Sequence, residues 1–226
     1  WRGSGASGNA TLRPEQAWSH EISTTVKPFA RSGGALASLK WHLGLYSNLV
    51  DDWILWRPTG AVGWSPENIK KVWARGVETR LSAGVQAGEV CLEGRLFYTL
   101  AKATNQQIAD GGNPREKGRQ LMYTPLHEGS FTFTASWRQY QARAVHNYTG
   151  RQFTDGGNSE AFALPAFQVL NLFVSRKFSL GRVSGHMQFE ANNLLNERYE
   201  PRRGYPMPGR NFRLRARLDL AVIGSR

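Results

Sequence analysis

Cysteine is nearly missing from this chain of 226 residues, since Cys91 is the single one. A disulfide framework and a thiolate metal cluster are therefore excluded. Long apolar runs are missing as well, and no stretch reaches the eighteen or more residues of a membrane-spanning helix. Membrane-spanning strands are not excluded by this, because they alternate apolar and polar residues over about ten positions.

Acidic residues are fewer than basic ones. Lys and Arg number 29 against 17 Asp and Glu, which gives a formal net charge of +12 and is compatible with an anionic partner. Aromatic residues make up 12% of the chain, and this load excludes a disordered chain. The opening Trp1-Arg2-Gly3-Ser4 lacks the apolar stretch of a secretion signal, so we expect either a cytosolic protein or a chain that continues upstream.

Alternation of apolar and polar residues runs through most of the chain, and a period of two is typical of β-strands with one apolar face. The last segment is the clearest, because Leu214 and Leu218 alternate with Arg213, Arg215 and Arg217. The nine predicted strands lie at residues 17–28, 38–45, 73–81, 90–100, 130–137, 140–148, 167–178, 183–192 and 211–220. Residues 66–71 are the one helix-like stretch, and they are too short to matter by themselves.

The connections between these strands alternate in length. Short turns are predicted at 31–34, 84–88, 137–139 and 179–182, and long links at roughly 49–68, 102–127, 150–165 and 195–210. Short turns at one end and long loops at the other are typical of an outer-membrane β-barrel, whereas a soluble β-sandwich usually shows no such asymmetry.

Aromatic residues fall mostly near the predicted strand ends. Placement there favours the interfacial girdles of a membrane barrel, and the alternative is a set of ordinary core aromatics in a soluble barrel. The residues concerned are Trp18, Trp41, Trp53, Trp56, Trp73, Phe97, Tyr98, Trp137, Tyr140, Tyr148 and Phe212.

Five stretches, in order along the chain, resemble the barrel of TonB-dependent outer-membrane receptors. Residues 9–21 resemble the family's Asn-Pro-x-Leu-x-Pro-Glu-x-Ser-x-x-x-Glu signature, with Ala10 and Ala17 as departures. Residues 192–212 resemble the ending Asn-Leu-Phe-Asp-x-x-Tyr…Pro-Gly-Arg before the final strand. The other three stretches are 68–78 (Asn-x-x-x-Val…Gly-x-Glu), 118–127 (Gly-x-x-Leu-x-x-x-Pro-x-His) and 164–167 (Leu-Pro-Ala-Tyr).

This resemblance implies an all-β fold, in which residues 1–226 are about nine C-terminal strands of a 22-stranded antiparallel transmembrane β-barrel. The plug domain, the N-terminal strands and the segment that contacts TonB are absent from this chain. Nine strands cannot close such a barrel, and open edges are costly in lipid. The missing strands and plug must therefore come from the same precursor or from a second chain. Residues 221–226 also depart from the family's aromatic ending.

The resemblance further implies a receptor in the outer membrane of a Gram-negative bacterium, with lipid and the TonB complex as partners. Such a receptor captures a scarce bulky ligand, a ferric siderophore, haem or a corrinoid, and imports it with TonB-coupled energy. Alternation places six cations on the polar, lumen-facing side, where they would attract anions or pair with carboxylates of the plug. These residues are Lys40, Arg95, Arg143, Arg213, Arg215 and Arg217.

The long loops carry the candidate ligand-binding residues, because cations and flat aromatic rings together suit a large anionic ligand. The candidates are Arg115, Lys117, Arg119, Tyr123, Arg198, Tyr199, Arg202, Arg203 and Tyr205. The alternative for 204–209 is that its prolines merely shape a loop.

The sequence contains few motifs for catalysis or metal binding. The five histidines have no metal-ligand spacing and Gly-x-Ser-x-Gly is absent, so we expect no enzyme, no metal site and no cofactor.

Two alternatives to an import receptor stay open. One is a passive outer-membrane channel, and the other is a soluble basic β-protein that binds single-stranded nucleic acid. Charges spread over every polar strand face disfavour nucleic acid as a partner.

Overall fold

The computed structural model describes residues 2–3, 6–29, 38–59, 63–107 and 113–220, and the description below is of these residues. Eleven strands form one sheet, nine of them long. Their bounds are β1 (Arg2–Gly3), β2 (Ala6–Ser7), β3 (Gln16–Phe29), β4 (Ser38–Thr59), β5 (Gly63–Ala87), β6 (Val90–Gln107), β7 (His127–Trp137), β8 (Tyr140–Thr149), β9 (Phe167–Leu180), β10 (Val183–Asn192) and β11 (Asn211–Leu220). Two 3-10 helices, Pro114–Glu116 and Glu160–Phe162, lie in the connections.

The nine long strands form an antiparallel meander in which each strand from β3 to β11 pairs with its neighbours in sequence. Pairing of this kind needs only hairpin connections. The predicted all-β class and the nine predicted strands are confirmed. Within the described part of the chain, β3 and β11 are the two outer edges of the meander.

Tight turns lie at one end of the sheet, which we call the short-turn end. They are the two-residue turns 88–89, 138–139 and 181–182, and the first residue of each has a positive φ, as hairpin turns of this length require. The predicted turn at 31–34 lies outside the described residues. The opposite end, the long-loop end, carries the described segments 113–126, 150–166 and 193–210, which we call the first, second and third long loops.

The predicted long link at 49–68 is wrong. β4 continues to Thr59 and β5 begins at Gly63, and the two strands stay in register up to the pair Thr59–Gly63. Residues 66–71, which look helical in the sequence, lie in β5 because β4 supplies their backbone partners. Beside Pro66, β6 does not yet pair with β5, and β2 contacts this part of β5 through the single pair Ala6–Trp64, so Pro66 interrupts no long ladder on that side.

The register sorts side chains into a polar face and an apolar face, because residues directly opposite each other on paired strands share a face. On the polar face, Lys40 lies opposite Ser82, and Ser82 lies opposite Arg95. On the apolar face, Leu172 lies opposite Ala191, which lies opposite Phe212. The predicted alternation therefore extends across the whole sheet.

Few apolar side chains are buried, and the apolar face is open. Ile22, Leu214 and Leu218 are 70%, 67% and 66% exposed. The buried cluster of Val72, Ala103 and Leu121 lies at the long-loop end, where the first long loop packs on β5 and β6. Among the described residues, no helix has the length and hydropathy needed to cross a membrane.

Aromatic and cationic side chains meet on the apolar face at the short-turn end. The rings of Trp137 and Tyr140 stack at 5.9 Å. The guanidinium of Arg176 lies 5.2 Å from the Tyr140 ring, and that of Arg138 lies 5.1 Å from the Trp137 ring. Arg138 Nε also pairs with the Glu89 carboxylate at 2.6 Å. Two stacked aromatic rings with two neighbouring arginines therefore mark the limit of the apolar face at this end.

The close approach of strands at Gly76 gives a test of the register. A Cβ at this position would lie 2.2 Å from the Leu100 carbonyl oxygen and 2.6 Å from the Tyr46 hydroxyl. We expect Gly76→Ala to destabilise the complete protein by about 1–3 kcal/mol, the usual cost of overpacking. Denaturant unfolding measures this change.

Gly94→Ala is the matched control, because its added Cβ would meet only the Phe131 ring at 4.0 Å. We expect the control to unfold at the same denaturant concentration as the parent or a higher one. Equal destabilisation by both substitutions would contradict the pairing of β4, β5 and β6.

Candidate functional site

The first long loop continues the sheet beside β6, beyond the point where β7 begins. Leu121 N donates to Ala103 O at 2.8 Å, and Ala101 N donates to Leu126 O at 2.9 Å. The Gln120 side chain completes this pairing: its Oε1 accepts from Ala103 N at 3.2 Å and its Nε2 donates to Ala101 O at 3.1 Å. The loop is therefore held by β6 along much of its length.

One asparagine joins the first and second long loops. Asn158 Oδ1 accepts from Gln120 N at 2.8 Å, and Asn158 Nδ2 donates to Gln120 O at 2.9 Å, so the side chain mimics a strand partner. Tyr123 N donates to Phe153 O at 2.8 Å across the same two loops. Asn158 has a φ of 56°, a conformation that Asn adopts more readily than most other residues.

The third long loop is shaped by the asparagines of the 192–200 motif. Asn193 Oδ1 accepts from Glu197 N at 2.8 Å, and its Nδ2 donates to Glu197 O at 2.9 Å and to Pro208 O at 3.2 Å. Asn196 Oδ1 accepts from Arg210 N at 3.0 Å. Asn193 is 3% exposed, so the start and the end of this loop are joined by a buried amide.

Several of the predicted loop residues come together across loops. The guanidinium of Arg202 lies 5.5 Å from the Tyr123 ring, which belongs to the first loop. The guanidinium of Arg203 lies 4.8 Å from the ring of Phe162 in the second loop. All three long loops therefore contribute to one surface of cations and aromatic rings.

The other predicted ligand-binding residues do not belong to these two cation and ring pairs. Tyr199 stacks on Phe167 with ring centroids 4.5 Å apart, and Tyr205 is 71% exposed. Arg115 lies in the first 3-10 helix, where its backbone N–H donates to Asn113. Lys117 and Arg119 are exposed in the same loop.

A groove of about 580 Å³ lies between the second and third loops. Arg198 and Tyr199 line one side of it, and Leu164, Phe167 and Met207 give it an apolar floor. The carboxylates of Glu197 and Glu200 line the groove as well, so its largely apolar surface carries charges of both signs, as suits a bulky ligand with flat or apolar parts. The groove lies at the long-loop end. We use the name loop site for the residues that line it together with two cation and ring pairs, Arg202–Tyr123 and Arg203–Phe162.

Phe162 and Phe167 are site residues that the sequence reasoning missed as such. Phe167 follows the Leu-Pro-Ala motif, which marked the end of a loop but indicated nothing about ring contacts. No sequence pattern singles out Phe162, because its contact with Arg203 depends on the packing of two separate loops.

The predicted lumen-facing cations lie on the polar face, and most have partners within the sheet. Arg215 Nε is 2.9 Å from Glu190 Oε1, and Arg213 lies 3.8 Å from the same carboxylate, which is almost buried. The acidic partner comes from β10, one strand away, so it is invisible in the local sequence. The other contacts are Arg95–Glu93 at 3.1 Å, Arg217–Asp219 at 3.1 Å and Arg143 to Gln141 Oε1 at 3.1 Å, while Lys40 shares a groove with Arg95.

Metal binding finds no geometric support in the described part of the chain, where no group of three or more His, Cys, Asp or Glu residues could hold an ion. The loop site is built from three arginines, the two carboxylates of Glu197 and Glu200, and aromatic rings, and what it can do chemically is bind a bulky molecule with flat or apolar parts.

The family described as TonB dependent receptor-like, β-barrel, matches residues 2–194 of this chain. The vitamin B12 transporter BtuB of Photobacterium profundum is 24% identical to this chain in an alignment of 217 residues, and the match covers 91% of this chain and 30% of the transporter. The chain therefore spans about a third or less of the length of this curated relative.

Solved structures give the same fold. The ferric citrate transporter FecA, unliganded, matches with a TM-score of 0.66 at 16% identity, over 90% of this chain and 31% of FecA. The ferric-catecholate import receptor Fiu from E. coli K12 matches with a TM-score of 0.61 at 19% identity, over 92% of this chain and 28% of Fiu. The predicted fold class, part of a larger antiparallel β-barrel, is confirmed.

Removal of the Asn158 side chain tests how the loops are held together. We expect Asn158→Ala in the complete protein to lose two hydrogen bonds of about 1 kcal/mol each and to add strain at the positive φ. Amide hydrogen exchange should then speed up in both 113–126 and 150–166, with the strands β7 and β8 unchanged.

Two control variants separate the loss of the hydrogen bonds from the backbone strain and from local effects in the first loop. Asn158→Gly removes the hydrogen bonds but accepts the backbone conformation, so its exchange should be intermediate. Asn113→Ala removes a contact within the first loop alone and should leave 150–166 as protected as before. Protection of both loops in Asn158→Ala would contradict the assigned contact.

Proposed function

The chain belongs to the family of TonB dependent receptor-like β-barrels, and on that premise we propose that it is the C-terminal part of an outer-membrane import receptor. The remaining barrel strands and the plug lie in the rest of the same precursor or in a second chain. The location is the outer membrane of a Gram-negative bacterium, and the energy for import comes from the TonB complex through the N-terminal region of the receptor.

The single observation that carries this proposal is the open apolar face of a meander with tight turns at one end and long loops at the other. Exposed residues such as Ile22 and Leu214 have no protein cover among the described residues, and lipid supplies it. β3 and β11 each have an edge with no partner strand among the described residues. These edges support the proposal that further strands complete the barrel, since unpaired backbone groups cost several kcal/mol each in lipid.

The ligand class follows from the loop site. Three arginines (Arg198, Arg202 and Arg203) outnumber the two carboxylates of the groove (Glu197 and Glu200). Tyr123 and Tyr199 supply ring faces, and together these groups suit a bulky anionic chelate or a conjugated macrocycle. BtuB is named for vitamin B12, FecA for ferric citrate and Fiu for ferric-catecholate, and we propose a ligand of this range, a ferric siderophore, haem or a corrinoid.

A passive channel is the second candidate, because it would share the barrel and the polar wall. Energy dependence separates the two functions. Uptake by cells that lack TonB should be abolished for an import receptor and unchanged for a channel. Recovery of the complete protein from cytosol, with none in the outer membrane, would refute both.

Adjacent positions on opposite faces of β7 test the membrane orientation. We expect Phe133→Arg in the complete receptor to cost about 2–4 kcal/mol if the position lies near the bilayer midplane, because the charge meets lipid. Thr134→Arg introduces the same charge on the polar face, opposite Glu93, and should be nearly neutral. Unfolding in phospholipid bilayers measures both, and equal costs would contradict the assignment of the faces.

Substitution of the loop cations tests recognition. We expect Arg202→Gln and Arg203→Gln each to weaken ligand binding to cells under iron or corrinoid limitation by about tenfold, since a hydrogen bond to a charged group contributes about 1.5–3 kcal/mol. Arg138→Gln, at the short-turn end, is the control and should bind as the parent does. Unchanged binding in a variant that lacks both loop cations would place recognition outside the loop site.

A further inference from the structure

We propose that the side chain of Asn105 binds a single buried water molecule, and that this water joins strand β6 to the first two long loops. The water site, as we call it, is a small cavity that shares no lining residue with the loop site. Asn105 of β6, Glu116 of the first loop and Gly156 of the second loop line it together. The inference goes beyond the proposed function, because it depends on neither the imported ligand nor the membrane.

Asn105 carries a buried acceptor that the protein does not pair. The residue is 6% exposed, and its Oδ1 atom has no hydrogen-bond partner among the described residues. A buried amide oxygen without a partner is costly, and native proteins pair the large majority of such atoms with protein groups or with ordered water. Within the described ranges, no other buried side-chain nitrogen or oxygen atom is left without a partner.

The backbone of Asn105 is held on both sides, so its side chain cannot leave the cavity by a shift of the strand. Asn105 N donates to Arg119 O at 3.0 Å, and Asn105 O accepts from Gly118 N at 2.6 Å. On the other side, Asn105 is the register partner of Val72 in β5. The unpaired oxygen must therefore be satisfied by something that enters the cavity.

The cavity has the size of a site for one water molecule. Its volume is about 10 Å³, and roughly 10–15 Å³ is the least space that holds a water. A buried water also needs two to four polar partners. Glu116 and Arg119 line the cavity beside Asn105, so the water donates to the Asn105 and Glu116 oxygens and accepts from the Arg119 guanidinium.

Water suits this site better than a metal ion does. In the part of the chain that the structure describes, no group of three or more His, Cys, Asp or Glu residues could hold an ion. The positive charge of Arg119 would also repel a cation. A dry cavity fits less well, because cavities that stay empty have apolar linings.

Gly156 brings the second loop to the same cavity. A Cβ at this position would lie 2.7 Å from Cδ and 2.9 Å from Oε1 of Glu116, so the Glu116 carboxylate lies against the backbone of the second loop. Met122 also lines the cavity, and it directly precedes Tyr123, whose ring faces Arg202. The water site therefore supports one of the rings of the loop site.

Crystal structures of the complete protein, at a resolution that shows ordered water, test the site directly. In the parent we expect one water about 2.7–3.2 Å from Asn105 Oδ1. Asn105→Leu has a similar size and no polar side-chain atom, so its cavity should hold no water. A dry cavity in a parent crystal that shows other ordered waters overturns the inference, and so does a metal ion with ligand distances of about 2.4 Å.

Amide hydrogen exchange of the same proteins measures what the water contributes to the loops. We expect the amides of residues 113–126 to exchange about fivefold faster in Asn105→Leu than in the parent, because the variant loses one net hydrogen bond. An oxygen that binds no water would give a different result, since its removal relieves the cost of burying it. Equal or slower exchange in Asn105→Leu therefore overturns the inference.

Two adjacent glycines of the second loop give a second, matched pair of variants that leaves Asn105 in place. Gly156→Ala pushes the Glu116 carboxylate away from the cavity, so its crystals should lack the water and residues 113–126 should exchange faster than in the parent. Gly157 does not line the cavity, and an added Cβ would meet only Asp155 Oδ2 at 3.2 Å. Gly157→Ala should therefore keep the water and the exchange rates of the parent. Equal exchange of 113–126 in the two glycine variants overturns the inference.

Discussion

Backbone pairing between sequence neighbours is the constraint on which the rest of this structure depends. Every long strand from β4 to β10 has a partner on both sides, so its register is set twice. A shift of one residue would move the apolar side chains of that strand to the polar face. The loops, the grooves and the arrangement of charges all follow from this register.

Charge is distributed according to the two faces. On the polar face, cations lie beside carboxylates of the same or the next strand, and the almost buried Glu190 holds both Arg213 and Arg215. A buried carboxylate of this kind is costly to leave unpaired, which ties β10 to β11. On the apolar face, Arg75 and Lys102 lie opposite each other beyond the level where β7 begins, and Arg176 lies near the short-turn end.

Much of the fold could be predicted from the sequence, because alternation is a local signal. All nine long strands were found in this way, whereas the continuation of β4 and β5 was missed. Pro66 and its neighbours resemble a helix start when taken alone, and only the opposite strand shows that they are extended. The loop cations were also found from composition, but their aromatic partners Phe162 and Phe167 were not, since those contacts join separate loops.

The most direct test of the central claim, that the apolar face meets lipid and the polar face meets the lumen, is spin-label accessibility along β11. Labels would be placed singly at residues 211–220 of the complete receptor in bilayers, with Cys91 replaced by serine. Accessibility to oxygen should peak at Phe212, Leu214 and Leu218, and accessibility to a polar nickel chelate should peak at the positions between them. Accessibility without a period of two would contradict this account.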